Sequence, residues 1–278
     1  MYEMWVEGYG AVTPLGSGAE GLLNRQELAV SPSGLPKLDP RDPRIKPVRK
    51  WSSSAQYAYL AMQEALNGHT FNEPERAACV VGTNYSNLEA IVALDQDARQ
   101  YGVNNANPGI FPETVLNAIG GHLAEKFQLR GVNVTLSDGD ATGWNAVRYA
   151  AELLQDGQAN EVMLCMVNRF PPETLASGNG SLPYSFQRES ISALRLSRTR
   201  SVKGIRLRAD EPAPASEAEG SRTREAIPSW SLPLAIVQAA LLVDRGMRPS
   251  ILLPIRDEDQ LALVLDKPQE GAIGGPCA

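Results

Sequence analysis

The hydrophobic positions along this chain form two patterns, short apolar runs and longer segments with helical spacing. Short runs rich in β-branched residues predict strands at 5–12, 77–81, 132–136, 161–167, 191–196, 251–253 and 261–265. Apolar residues repeating every three or four positions predict helices at 52–67, 88–99, 112–127, 142–155 and 234–245. Strands and helices alternate up to residue 167, and this order is typical of an α/β sandwich with a partly parallel sheet.

A change in composition separates the regular part of the chain from its C-terminal elements. Residues 209–219 consist mostly of Ala, Pro and Glu, which is typical of a flexible linker. The sequence therefore predicts four parts: an N-terminal unit at 1–207, a linker at 208–226, a short unit of one helix and two strands at 227–268, and a tail at 269–278.

Charge and hydropathy exclude several classes of partner. The 278 residues include 26 Lys and Arg against 32 Asp and Glu, giving a net charge of −6 and no overall basic field for a nucleic acid. The longest apolar stretch, 232–243, falls short of the roughly 20 residues that cross a bilayer. The first residues lack the pattern of a signal peptide, so we expect a cytosolic protein that binds neither nucleic acid nor membrane.

The cysteines and histidines are few and far apart. Cys79, Cys165 and Cys277 form neither a disulfide framework nor a zinc pattern, and the first two lie in apolar runs where a thiol is buried and inert. His69 is expected in a surface turn, and His122 is expected to have a structural role. We expect no metal and no cofactor.

The segment with the clearest chemical signal is 134–143. A strand enters a tight turn there and a helix leaves it, so a side chain of the turn lies at a helix N-terminus, beside free N–H groups and the positive end of the dipole. Enzymes use this geometry to activate a nucleophile and to bind an oxyanion.

Residues 131–137 (Gly-Val-Asn-Val-Thr-Leu-Ser) followed by Ala141-Thr142-Gly143 resemble the nucleophile elbow of the β-ketoacyl synthases. That family reads Gly-Pro-Asn-x-Thr-x-Ser-x-Ala-Cys-x-Ser-Gly at this point. Further segments resemble the family in the same order: 8–16, 107–108, 111–118, 121–122, 230–237 and 244–250. The resemblance implies a thiolase-like α/β/α layered fold with a complete N-terminal half and a reduced C-terminal half.

The chain departs from the family at the residues that carry the chemistry. Asp140 occupies the position of the nucleophilic cysteine, and a carboxylate cannot form the acyl thioester that a thiolate forms. Ile227 falls near the place of one of the two C-terminal catalytic histidines, and the region of the other is missing. Three roles for Asp140 stay open: a helix N-cap, a group in an acyl pocket, and an acid or base.

The resemblance implies both a partner and a set of site residues. The chain is similar to a chain-length factor, an inactive subunit that pairs with an active ketosynthase. The residues expected at the interface or in the acyl pocket are Phe111, Thr114, Leu116, Asn117, Asp138, Asp140 and Thr142. A basic cluster is interpreted either as a solvated face or as a docking site for an acyl carrier protein: Arg195, Arg198, Arg200 and Lys203.

Three functions are compatible with these residues. The first is a non-catalytic subunit that pairs with a ketosynthase, or with itself, and shapes an acyl tunnel in fatty-acid or polyketide biosynthesis. The second is an enzyme in which Asp140 assists hydrolysis, decarboxylation or dehydration of an acyl thioester. The third is a module that binds acyl carrier protein through the basic cluster.

Overall fold

The computed structural model describes residues 3–24, 34–169, 189–199, 204–210, 231–254 and 262–267. Within these ranges a single mixed sheet runs in the order β4-β3-β5-β6-β1-β7-β9-β8, with β2 paired to β1. Its strands are β1 Glu3–Thr13, β2 Gly16–Ser17, β3 Ala77–Thr83, β4 Asn133–Leu136, β5 Glu161–Asn168, β6 Ser190–Ser197, β7 Ile205–Asp210, β8 Ser250–Pro254 and β9 Ala262–Asp266.

Helices cover both faces of this sheet, which gives the predicted α/β/α layering. They are α1 Ser53–Leu66, α2 Leu88–Tyr101, α3 Ala118–Phe127, α4 Thr142–Gln155 and α5 Leu232–Asp244. Two hydrophobic clusters fill the space on either side, one containing α1 and α3 and the other containing α4 and α5. None of the helices in the described ranges combines the length and the apolar character needed to cross a bilayer.

Strand β5 shows how the sequence assigns side chains to the two layers. Val162 and Leu164 face α4 and α5, whereas Met163 and Cys165 face α1 and α3. Successive side chains of a strand point to opposite faces, so an uninterrupted apolar run supplies both cores at once.

The close approach of α1 to β1 explains the glycines near the start of the chain. A Cβ at Gly8 or at Gly10 would lie inside van der Waals contact of the α1 backbone, at Ala65 and Ala61 respectively. Glycine at these positions therefore lets the helix pack directly on the strand.

The parallel part of the sheet places the elbow. β3 lies between β4 and β5 and runs parallel to both, with Gly82 opposite Leu136 and Met166. The carboxyl ends of all three strands consequently meet at one edge of the sheet, where α/β proteins carry their ligand sites. The remaining strands pair antiparallel.

Two expectations from the sequence need correction. The single helix predicted at 112–127 is wrong, because Pro108–Thr114 forms a 3-10 segment, the chain is extended at Val115, and α3 begins only at Ala118. Residues 208–210, assigned to the linker from sequence, form the end of β7. The rest of that predicted linker and the tail lie outside the described residues.

Candidate functional site

The elbow (residues 137–142) connects the edge strand β4 to α4. Gly139 has a φ of +52°, which glycine adopts without the strain that a side chain would bring. The 3-10 turn Gly139–Ala141 follows, and α4 begins at Thr142. The strand-turn-helix geometry predicted from the sequence is therefore present, and Asp140 lies immediately before the N-terminus of α4.

Asn84, which follows β3, holds the elbow in place. Its Oδ1 accepts hydrogen bonds from Thr142 Oγ1 at 2.8 Å and from Ser137 Oγ at 3.3 Å, and its Nδ2 donates to Gly139 O at 2.9 Å. Since one amide contacts three residues of the turn, Asn84 fixes the elbow against the neighbouring strand end. The sequence analysis did not identify this residue.

Thr142 is the buried member of the elbow. It is fully buried, and its Oγ1 lies 2.8 Å from both the Asn84 Oδ1 and the Gly139 O acceptors. The same oxygen accepts a hydrogen bond from Asp138 N at 2.8 Å. Thr142 therefore closes the first turn of the helix from within and does not face a pocket in this chain alone.

The two acidic residues of the elbow differ in their contacts. Asp138 Oδ2 accepts a hydrogen bond from Asn145 Nδ2 at 2.5 Å. Asp140 is exposed, and no hydrogen bond or ion pair joins its carboxylate to any other described residue. The N-cap role considered for Asp140 is wrong, because Ala141 is the N-cap residue of α4 and no side chain caps it.

Both histidines of the chain are paired with glutamates elsewhere. His122 Nε2 lies 2.5 Å from Glu113 Oε1, and its ring stacks on Trp51 at 4.7 Å. His69 Nε2 lies 3.0 Å from a carboxylate oxygen of Glu161, the first residue of β5 and hence at the opposite edge of the sheet from the elbow. These contacts leave no imidazole pair for Asp140.

The two cysteines among the described residues are buried in the sheet. Cys79 on β3 and Cys165 on β5 are both free and have no exposed surface. Burial raises the pKa of the Cys79 thiol to about 12 and also raises that of Cys165. Both thiols therefore stay protonated at neutral pH, so neither is a nucleophile.

The predicted interface and pocket residues lie on a partly apolar surface beside the elbow. Phe111 is 61% exposed, Thr114 and Leu116 are half-buried, and Asn117 is exposed. We call the exposed large apolar side chains between 85 and 115 the apolar patch, which consists of Tyr85, Ile91, Tyr101, Val103, Phe111 and Val115. Among the described residues, only Met247 is a further exposed side chain of this kind.

The apolar patch is joined to the elbow through the loop that follows β3. Asn84 contacts the elbow, and three residues later Asn87 Nδ2 donates a hydrogen bond to Thr114 O at 2.7 Å. Asn84 and Asn87 therefore connect the elbow to Thr114 through one short loop, and we call the two segments so joined the elbow face (residues 84–117 and 137–142).

Two members of the predicted basic cluster, Arg195 and Arg198, lie among the described residues, and they differ in exposure. Arg195 is mostly buried, with Nη1 3.0 Å from Glu161 Oε2 and Nη2 donating to Glu7 O at 2.9 Å. Arg198 is exposed just beyond β6. Arg200 and Lys203 lie outside the described residues. The contacts of Arg195 tie β6 to β5 and β1, which is a structural role.

Comparison with known proteins agrees with the elbow motif. The family model described as "Beta-ketoacyl synthase, N-terminal domain" matches residues 6–177. The chain is 26% identical over 179 residues to 3-oxoacyl-[acyl-carrier-protein] synthase 1 of Haemophilus influenzae, covering 56% of this chain and 44% of that protein. It is 30% identical over 122 residues to the synthase 2 of Vibrio cholerae, covering 42% of this chain and 30% of that protein. Each match thus spans less than half the length of the curated relative.

Solved structures extend the likeness to the whole fold. The structure described as the ishigamide ketosynthase/chain length factor superposes with a TM-score of 0.66 at 15% identity, covering 95% of this chain and 98% of that chain. A ketosynthase in complex with its chain length factor from Xenorhabdus doucetiae gives 0.63 at 15% identity, covering 96% and 100%. A complex of a type II polyketide acyl-carrier protein with its ketosynthase gives 0.69 at 14% identity, covering 96% and 99%. At these identities the likeness shows the fold alone.

These matches confirm the resemblance and the thiolase-like layered fold predicted from the sequence. The family model covers more than half of the chain and includes the elbow, its preceding strand and the strands beside it. The chain therefore belongs to the β-ketoacyl synthase family.

Proposed function

We propose that this chain is a non-catalytic subunit that pairs with an active ketosynthase, or with a second copy of itself, in fatty-acid or polyketide biosynthesis. The observation that carries the proposal is the exposed carboxylate of Asp140 at the position where the family has its nucleophilic thiol. Acyl transfer in this family depends on a thiolate assisted by nearby imidazoles, and Asp140 has neither.

The surroundings of Asp140 also argue against condensation by this chain. Activation of a nucleophile requires an adjacent base within hydrogen-bonding reach, or a neighbouring positive charge. Asp140 has no such side chain among the described residues, and both histidines contact glutamates instead. The elbow therefore keeps its shape without its chemistry, which fits a subunit that contributes surface to a site completed by another.

The elbow face supplies the features of an interface. Strand β4 forms one end of the sheet built by the described residues, so the hydrogen-bonding groups along its outer side face away from the sheet. Edge strands of this kind pair readily with another chain. The exposed apolar side chains of the patch lie within residues 84–117 of the elbow face, and exposed apolar side chains mark interaction surfaces in soluble proteins where they cluster. A second thiolase-fold subunit would cover both.

The acyl carrier protein is the second proposed partner. Phe111, Thr114, Leu116 and Asn117 would line the interface or the acyl tunnel of the assembled pair, together with Asp138 and Asp140, while the fully buried Thr142 would support the elbow from within. Arg198 would contribute to docking of the acidic carrier, along with Arg200 and Lys203. Arg195 contributes less, because Glu161 already neutralises it.

Pairing is tested by co-expressing the chain with the ketosynthase subunits of its own genome and measuring the mass of the purified assembly. Phe111→Asp places a charge in the apolar patch and is expected to weaken pairing at least tenfold. Met247→Asp is the matched control, because Met247 is equally exposed, at 59% against 61%, but lies outside the patch. A stable monomer with no ketosynthase recovered would overturn the proposal, as would equal effects of the two substitutions.

A second candidate function follows from the same residue. The Asp140 carboxylate is unpaired among the described residues and lies at a helix N-terminus, where a water molecule could be oriented for hydrolysis of an acyl thioester. In that case Asp140→Asn would abolish thioester turnover, whereas the non-catalytic subunit is unaffected by it.

A further inference from the structure

The segment that carries Phe111 has no buried side chain. From residue 101 to residue 118 every side chain is exposed or only partly buried, and this stretch includes the 3-10 segment Pro108–Thr114. Hydrophobic burial normally fixes a surface segment in place, and here that contribution is small. The position of Phe111 must therefore depend on polar contacts.

Those polar contacts fall into two groups: one joins the segment to α2, and the other joins it to α1 and α3. Asn87 Nδ2 donates to Thr114 O at 2.7 Å, and Asn107 N donates to Asp97 Oδ2 at 2.5 Å. Asn87 and Asp97 belong to α2 and its N-cap, and Ala90 is the single buried residue of that helix. These bonds join the segment to a helix with little buried surface, which Glu89 links to the body of the molecule through Ser53 Oγ at 2.7 Å and Arg169 Nη1 at 2.7 Å.

Glu113 makes the contacts to the well-packed body of the molecule. Its Oε1 lies 2.5 Å from His122 Nε2 on α3, and its Oε2 accepts a hydrogen bond from Ser52 N at the start of α1 at 3.4 Å. Both α1 and α3 pack on the sheet. Within the described residues, no other side chain between 102 and 117 is hydrogen-bonded to these two helices.

His122 is held rigidly on the body side. Its ring stacks on Trp51 with an interplanar angle of 15° and a centroid distance of 4.7 Å. Trp51 in turn contacts the edge of the buried Tyr59 at 6.1 Å, and Tyr59 stacks on Phe127 at 5.4 Å. The imidazole therefore presents its Nε2 in one orientation, so that a carboxylate at Glu113 has a fixed partner.

We propose that Glu113 and His122 form a latch that holds the segment 108–114 against the body and so positions Phe111 on the elbow face. That the latch holds the segment follows from contacts within this chain alone. Its consequence for partner binding rests on the function proposed above. Both are positioning residues, because they act on the interface through the segment.

The latch is tested by amide hydrogen exchange of the full chain, monitored at peptides within 102–117. Glu113→Ala removes both contacts and is expected to raise exchange there roughly tenfold, since a hydrogen bond to a charged group is lost. Glu113→Gln keeps one acceptor oxygen in place of two, so it can accept a hydrogen bond from either His122 or Ser52 N but not from both, and part of the protection should return.

The other histidine–glutamate pair provides a matched control. The distance from His69 Nε2 to the Glu161 carboxylate is 3.0 Å, against 2.5 Å from His122 Nε2 to that of Glu113, and the side chains of both pairs are partly buried. The His69–Glu161 pair lies at the other end of the parallel strands from the elbow. His122→Ala should therefore raise exchange at 102–117, whereas His69→Ala should not. Unchanged exchange in Glu113→Ala, or an equal rise in His69→Ala, would overturn the latch whatever the chain binds.

The partner-binding consequence is read separately, by the affinity of the paired assembly. Glu113→Ala should weaken pairing, and Glu113→Gln should weaken it less. If exchange rises but pairing is unchanged while Phe111→Asp still disrupts it, the positioning role is wrong and the proposed function stands. If Phe111→Asp also has no effect, the proposed function fails and the structural latch is retained.

Discussion

The elbow face and the interior of the sheet place their chemically reactive side chains in opposite environments. The elbow ends in an exposed carboxylate, Asp140, where solvent surrounds the charge. On the next two strands of the sheet, Cys79 in β3 and Cys165 in β5 are completely buried, and their thiols pack as small hydrophobic groups. Within the described part of the chain, the thiols thus lie where they cannot react, and an acid lies where the family has its thiol. Residue type alone is a poor guide to chemistry, because burial decides what each group can do.

Placing a carboxylate in the sheet interior and a thiol in the elbow should show the difference between the two environments most strongly. Cys79→Asp would bury a carboxylate with no counter-charge among apolar side chains, so we expect a loss of more than about 4 kcal/mol and an unfolded product. Asp140→Cys changes an exposed turn residue and should alter the free energy of unfolding by less than about 0.5 kcal/mol. Urea denaturation followed by circular dichroism compares them, and a folded Cys79→Asp protein would contradict the contrast.

Alkylation distinguishes the two environments by reactivity. In Asp140→Cys with Cys277 replaced by Ser, the introduced thiol is exposed at a helix N-terminus, which favours a pKa at or below the ordinary value of about 8.5. The pKa of Cys79 is raised to about 12, so its thiolate fraction at pH 8 is lower by roughly three orders of magnitude. Peptide mass mapping after iodoacetamide treatment should find label at position 140 alone until denaturant is added. Native labelling of Cys79 or Cys165 would contradict the burial argument.

The elbow itself should depend on Asn84. Asn84→Ala removes three hydrogen bonds to Ser137, Gly139 and Thr142, and it leaves the buried Thr142 hydroxyl with one acceptor fewer. At about 0.5–1.5 kcal/mol per bond, we expect a loss of roughly 2 kcal/mol. Ser137→Ala removes only the bond of 3.3 Å and is the smaller control. Equal effects of these two substitutions on the urea midpoint would show that Asn84 does not organise the turn.

Acid should weaken the elbow face through Glu113. Burial raises the pKa of this carboxyl, but hydrogen bonds from His122 and Ser52 outweigh burial and lower it below its usual value of 4.5. A carboxyl whose pKa is lower in the folded than in the unfolded protein stabilises the fold at any pH above its unfolded pKa. That stabilisation is lost as the pH falls through its folded pKa. Unfolding free energy measured between pH 5 and pH 3 should therefore fall less steeply in Glu113→Gln than in the wild type. Parallel curves would contradict this assignment.

Much of the fold could be predicted because apolar patterning carries it. The buried strands β3 and β5 agree with the prediction, as do the helices other than the one predicted at 112–127, since burial of their apolar residues decides their structure. β7 was missed as a strand because Arg206 and Arg208 interrupt its apolar residues and leave no continuous apolar run. In the structure Arg206 pairs with Asp266 on the adjacent β9, a partner distant in the sequence.

The site was predictable only in part, for a similar reason. The position of Asp140 in the elbow could be predicted, because the strand-turn-helix pattern is contained in one short stretch of sequence. The role of Asn84 depends on β3 lying beside β4, and the pairing of His122 with Glu113 depends on a break in the predicted helix at Val115. Contacts between residues brought together by the fold leave no periodic signal in the sequence.

The central claim, that the elbow of this chain has lost its chemistry, is tested most directly by thioester turnover. The chain alone is incubated with an acyl carrier protein thioester, and the release of free thiol is followed together with the intact mass of the chain. We predict release at the rate of buffer, no change in mass, and identical results for Asp140→Asn. Thiol release above background that Asp140→Asn abolishes, or a stable acyl adduct on the wild-type chain, would contradict the claim.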